Sequence, residues 1–216
     1  MADSESLDEV ECRSCKKRWT TPRRGRAYYC FSGECQSCFT TRRTRKFEMD
    51  ICPPLYLDTN IDRLPAAQLE QVMNWKFGAK GLILLGETGK GKSRVAWTLL
   101  RRIFTETRPA VNFTWFDCVG FGHAISRHYQ EEDAEDWLDS LATEQLVFMD
   151  DLGKLKLTER AEVELFGLIE RRCANKLPMI VTTNDTGDSL ASRMTDNRGP
   201  ALIRRLREFC EPIQFL

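Results

Sequence analysis

From about Leu64 onward, apolar positions recur in two alternating patterns. Helical spacing marks residues 65–77, where Leu69, Val72, Met73 and Phe77 share a stripe, and residues 92–105, where Val95, Ala96, Leu99, Leu100 and Ile103 do. Unbroken apolar runs mark strands at 82–85 and 146–149, and further strands are read at 111–116, 178–183 and 212–216. The unbroken runs lack the polar alternation of a half-exposed strand, so they predict strands buried on both faces. Their interleaving with helices predicts a five-stranded parallel sheet of α/β class with helices on each side. Residues 119–142 read as helical with a break near Glu131, and their acids as a solvated face; 159–175 read as a helix burying Val163, Phe166 and Ile169.

The first 47 residues follow neither pattern. Residues 12–47 hold eleven Lys and Arg against Glu34 alone, a net +10 inside a chain whose formal net charge is zero. Such a field faces nucleic acid or an acidic partner, unless it is only a solvated linker. We expect three parts: an acidic, flexible start (1–11), a basic metal-binding module (12–47) and a nucleotide-binding domain (48–216). No apolar stretch approaches the roughly 18 residues that span a bilayer, and the acidic start resembles neither a signal nor a transit peptide. The expectation is a cytoplasmic protein with no membrane partner.

Five of the nine cysteines fall in the basic module, as Cys12-x-x-Cys15, Cys30 and Cys35-x-x-Cys38. Two such pairs about twenty residues apart have the spacing of a structural zinc site. The four paired thiols are the expected Zn²⁺ ligands, with Cys30 spare or an alternate. Segments 17–20 and 26–30 could pair as strands of a zinc ribbon around the turn at 22–25. Trp19, Tyr28, Tyr29, Phe31 and Phe39 either stack bases or form the module's small core.

The catalytic chemistry lies in the sheet region. Gly86-Glu87-Thr88-Gly89-Lys90-Gly91-Lys92-Ser93 follows the first buried strand and opens a helix, the context a phosphate-binding loop requires. Its backbone amides point at the phosphates of ATP, Lys92 adds a positive charge, and the Ser93 hydroxyl can ligate Mg²⁺. The strand 146–149 delivers Asp150 and Asp151 at its C-terminal edge, where ligands of open parallel sheets bind. Asp150 is placed to hold Mg²⁺ and Asp151 to polarise the attacking water. Asn184 ends the next strand, where its amide either orients that water or caps the following helix.

The order of these residues, together with Arg204-Arg205-Leu206, resembles the DnaC/IstB-type AAA+ ATPases, helicase loaders of replication and helper ATPases of transposition. The likeness covers about residues 52–216 and includes Cys52-Pro53-Pro54-Leu55-Tyr56, similar to the entry segment that passes near the adenine. It implies an AAA+ fold, a first-sensor role for Asn184, and an arginine finger at Arg205 acting on a neighbouring subunit's ATP. It also implies a contact with single-stranded DNA near Arg127, His128 and Tyr129. Arg204, Arg205 and Arg207 could instead be a solvated helix face. Because the sequence stops after the fifth strand, we expect no helical lid. The expected function is ATP-dependent loading of a replicative helicase onto single-stranded DNA by a nucleotide-dependent homo-oligomer, with hydrolysis weak alone and stimulated by DNA or partner. Transposition helper and ATP-switched adaptor are the alternatives.

Overall fold

In the computed structural model, residues 7–22, 33–78, 80–154, 157–194 and 198–216 are described. The chain divides into two compact units: Met1–Asp58 with Leu100–Val111, and Thr59–Leu99 with Asn112–Leu216. Among the described residues no helix is long and apolar enough to cross a membrane.

The larger unit is built on five parallel strands: Gly81–Gly86 (β3), Phe113–Asp117 (β4), Leu146–Leu152 (β5), Met179–Thr183 (β6) and Cys210–Phe215 (β7), in the order β4-β5-β6-β3-β7. All five strands expected from the sequence are present. One face is covered by Cys118–Gln130 (α5), Ala134–Thr143 (α6), Glu159–Ala174 (α7) and Arg198–Phe209 (α9). Phe121, Ile125, Leu138, Leu141, Leu165, Leu168, Leu202 and Leu206 from these helices meet Ile83, Val147, Met149 and Val181 of the sheet. The break expected near Glu131 falls between α5 and α6, and Pro54–Leu57 (α2), Ala66–Asn74 (α3) and Gly187–Ser192 (α8) are further α-helices among the described residues. Trp97, on helix Lys92–Glu106 (α4), is 2% exposed and meets the edges of Trp115 at 5.1 Å and Phe148 at 5.5 Å.

Arg172 is fully buried and was not foreseen from the sequence. Its guanidinium donates to the carbonyls of Leu141 (2.6 Å), Glu144 (2.8 Å) and Pro178 (2.7 Å). It thus satisfies the carbonyls that α6 leaves open at its C-terminus and fixes the turn into β6. Burial pushes its pKa down to about 10.

In the smaller unit Leu7–Glu11 (β1) and Arg18–Pro22 (β2) form an antiparallel pair, and Gln36–Lys46 (α1) is a helix continued by the π-helical turn Phe47–Ile51. The strand expected at 17–20 is there as β2, and among the described residues it pairs with β1, inside the segment expected to be a flexible acidic start. The other expected strand, 26–30, lies outside the described residues together with Cys30, Tyr28, Tyr29 and Phe31. The second cysteine pair sits on a helical first turn: Cys35 is extended as the N-cap of α1 (φ −69°, ψ 163°) and Cys38 lies one turn along.

One face of α1 is buried, through Phe39, Arg43 and the following Phe47. The Arg43 guanidinium lies 3.6 Å from the Phe104 ring centroid and donates to the carbonyls of Phe104 and Val111. Arg108 lies 4.1 Å over Phe39. Guanidinium–aromatic stacking therefore supplies much of this unit's interior.

Candidate nucleotide site and metal centre

The phosphate loop turns at Gly86, where φ is +143° and a Cβ would sit 2.1 Å from the Phe215 carbonyl oxygen, so only glycine fits. Gly89 (φ +85°) and Gly91 (φ +87°) complete the reversal into α4. Lys92, 4% exposed, points back into the loop and donates to the carbonyls of Gly86 (2.7 Å) and Glu87 (2.8 Å) and to Asn184 Oδ1 (2.7 Å). Burial lowers its pKa, opposed by the nearby Asp151 and Asp150. Ser93 Oγ donates to Asp150 Oδ1 at 2.7 Å, and Thr182 Oγ1 to the same oxygen at 2.6 Å. A hydroxyl beside a buried carboxylate is a hard oxygen pair that suits Mg²⁺. The structure thus brings together Lys92, Ser93, Asp150 and Asn184 from three chain segments, in two hydrogen-bonded pairs, Lys92 with Asn184 and Ser93 with Asp150.

Asp151 follows in an unusual backbone state, φ +55°, with its N–H donating to Thr182 Oγ1 at 2.8 Å. Its carboxylate meets Lys154 Nζ at 2.8 Å, and that pair raises the pKa of Lys154. Neither Thr182 nor Lys154 was among the residues expected from sequence. The only local signal was the three-residue spacing between Asp151 and a lysine in a turn.

Arg205, on α9, is held within its own chain: Nε lies 2.5 Å from Glu170 Oε1 on α7 and Nη1 lies 3.4 Å from Glu208 Oε2. Glu170 raises its pKa first among the causes. Of the second expected contact patch, His128 stacks on Trp137 at 4.6 Å with Nδ1 2.7 Å from Asp133, and Tyr129 donates to Glu164 beneath Arg160.

In the smaller unit the Sγ atoms of Cys12, Cys15, Cys35 and Cys38 all lie within 4.8 Å of one another. A tetrahedron with Zn–S bonds of about 2.3 Å needs S···S separations near 3.8 Å. Cys15 and Cys35 stand at 3.7 Å. The Cys35 N–H donates to Cys12 Sγ at 3.2 Å, and backbone N–H donation, from Cys15 first and then Cys35, holds the Cys12 thiol down to about 6. Four sulfurs converging with N–H donors behind one of them fit a structural Zn²⁺.

Over residues 57–215 the chain matches the family model described as IstB-like ATP binding protein. Among curated proteins nothing matches. Among solved structures it is similar to the DnaC helicase loader, with TM-score 0.63 and 21% identity over 76% of this chain and 100% of that one. It is similar to DnaI, with TM-score 0.59 and 18% identity over 76% and 95%. It is also similar to AMPPCP-bound DnaA from Aquifex aeolicus, with TM-score 0.60 and 14% identity over 77% and 51%. The chain spans about half the length of that DnaA and 43% of a DNA replication initiation factor it also matches. At these identities the likeness shows the fold alone, a five-stranded parallel sheet with a phosphate loop after one of its strands.

Proposed function

The chain belongs to the family of IstB-like ATP binding proteins, and from that premise we propose that it is a cytoplasmic ATP-hydrolysing replication factor, a loader that binds single-stranded DNA and a replicative helicase. The observation that carries the ATPase reading is the joining of the phosphate loop to two strand ends, Ser93 to Asp150 and Lys92 to Asn184.

The glycine-rich turn offers its N–H groups to the phosphates, and Lys92 brings its charge to them at the head of α4. Ser93 and Asp150 would hold Mg²⁺, which neutralises phosphate charge when bound. Asp151 polarises the attacking water and the Asn184 amide orients it. Arg205 serves a neighbouring subunit by stabilising charge that grows on the transferred phosphoryl group. Within one chain that arginine is clasped by Glu170. Assembly must exchange the carboxylate for a phosphate, which supports low hydrolysis by the lone chain and stimulation by DNA or partner. The four-thiol centre is read as a structural Zn²⁺ site whose module engages the partner.

A second reading, a transposition helper, is favoured by the IstB-like description of the family model. Duplex DNA and a transposase would then replace single strand and helicase. An adaptor that uses ATP binding alone is a third, and Asp151→Asn separates it, because an adaptor keeps its biological activity whereas a hydrolysis cycle stalls. The test of the main reading is hydrolysis rate and particle mass with and without single-stranded DNA. We expect an ATP- and DNA-dependent oligomer whose turnover needs Arg205; a monomer indifferent to Arg205→Ala would reject it.

A further inference from the structure

The exposed face of α1 is polar along its whole length. Ser37, Thr40, Thr41, Thr44, Arg45 and Glu48 recur at helical spacing opposite the buried Phe39, Arg43 and Phe47. This face, Lys17 just before β2 and Trp19 on β2 line one open cleft of about 920 Å³, all within the smaller unit. Its size is at the upper end of ordinary ligand clefts, about 300–1,000 Å³. Glu48, the sole acid on the lining, is paired with Arg101 at 2.6 Å. Arg13 and Lys46 are also exposed on this module, while Lys16 and Arg18 pair with Glu9 and Glu11 of β1 and Arg42 pairs with Glu34.

We propose that this cleft is a binding site for single-stranded DNA, with Trp19 stacking on a base and Lys17 and Arg45 neutralising phosphates. The reading rests on the DNA-dependent function above and adds a site that the ATPase unit does not contain. Three features select the occupant. The excess of positive charge is complementary to a polyanion. A half-buried indole on the wall offers a stacking surface that bases accept regardless of sequence. The row of threonine and serine hydroxyls can donate to phosphate oxygens, as such side chains do along nucleic-acid backbones. The concave form suits an unstacked strand; duplex readout needs an element projecting into a groove.

The test is fluorescence anisotropy of a labelled oligothymidylate with the full zinc-loaded chain, over a range of salt concentrations. Trp19→Ala should weaken binding at least about fivefold, and Trp19→Phe should restore most of it. Lys17→Ala with Arg45→Ala should lower the slope of log K against log salt by about 1.4, two single-strand phosphate contacts. Retained zinc and unchanged circular dichroism guard against misfolding, and the exposed Lys17/Arg45 variant carries the test if Trp19→Ala fails that guard. Unchanged affinity and slope in the variants, while the parent binds, would overturn the cleft and leave DNA binding with the ATPase unit. No binding by the parent with any nucleotide would overturn the cleft together with the DNA-dependent function. Displacement by polyglutamate at equal charge concentration would overturn it in favour of an acidic protein partner.

Discussion

In the sheet unit Leu82, Leu84, Leu99, Leu146, Val147 and Phe148 have no exposed surface, and the interior is a continuous aliphatic and aromatic layer on both faces of five strands. In the N-terminal unit the buried set is short, and Cys12, Cys35 and Arg43 stand in it beside Phe39, Phe47 and Phe104. Small units bury too little apolar surface to offset chain entropy. Guanidiniums stacked on rings and four convergent thiols take over that role. If the four thiols hold the proposed Zn²⁺, stability in this chain has two sources, burial in one unit and metal coordination in the other, and they should fail independently.

Removing metal should have the largest effect. Structural zinc supplies about 10–16 kcal/mol in small sites of this kind, so chelation, or Cys12→Ser with Cys15→Ser, should release one zinc per chain and unfold the N-terminal unit. Nucleotide affinity should stay within about twofold, as read by calorimetry against a zinc-release dye; lost ATP binding would erase the division. The reciprocal variant, Phe148→Ala, opens the sheet core beneath Trp97 and should cost about 3–5 kcal/mol. Thermal unfolding should report the loss, with zinc content unchanged.

Next in size is Lys92→Met. Removing the loop's charge should lower turnover by about 100- to 1,000-fold, the scale of losing one preorganised electrostatic group. The same residue gives a pH signature. Burial holds its pKa below the ordinary 10.5, so between the lowered value and 10.5 the unfolded chain binds more protons and stability rises with pH. ATP affinity should fall over that interval as the ammonium is lost, and Lys92→Met should flatten both slopes. The smallest effect belongs to Lys154→Ala. Its ion pair with Asp151 is half exposed on the lysine side and worth no more than about 1 kcal/mol. Turnover should change less than fivefold, read as kcat apart from KM.

The sheet unit was legible because its signals are local. The strands at 82–85 and 146–149 begin as unbroken apolar runs, and the phosphate loop is a contiguous motif between a strand and a helix. The paired carboxylates end a run that begins at Leu146. The N-terminal unit was legible only in its chemistry: cysteine spacing indicated the four thiols that converge, but not that Cys35 caps a helix or that Leu7–Glu11 pairs with β2. Those depend on pairings between short segments of mixed polarity, where neither period stands out. The contacts of Thr182, Lys154 and Glu170 with expected site residues escaped for a related reason. Two of them join distant segments, and sequence order carries no trace of such a meeting. Arg43 and Arg172 read as surface charges until the carbonyls that bury them are in place.

The central claim is that ATP is hydrolysed between chains, with Arg205 of one subunit completing the site that Asp151 and Asn184 form in the next. The most direct measurement mixes Arg205→Ala with Asp151→Asn and follows phosphate release in the presence of single-stranded DNA. Each variant alone should be nearly inactive. The account predicts that mixing restores activity, because an intact Asp151 site then faces an intact Arg205; a mixture no more active than its parts would contradict it.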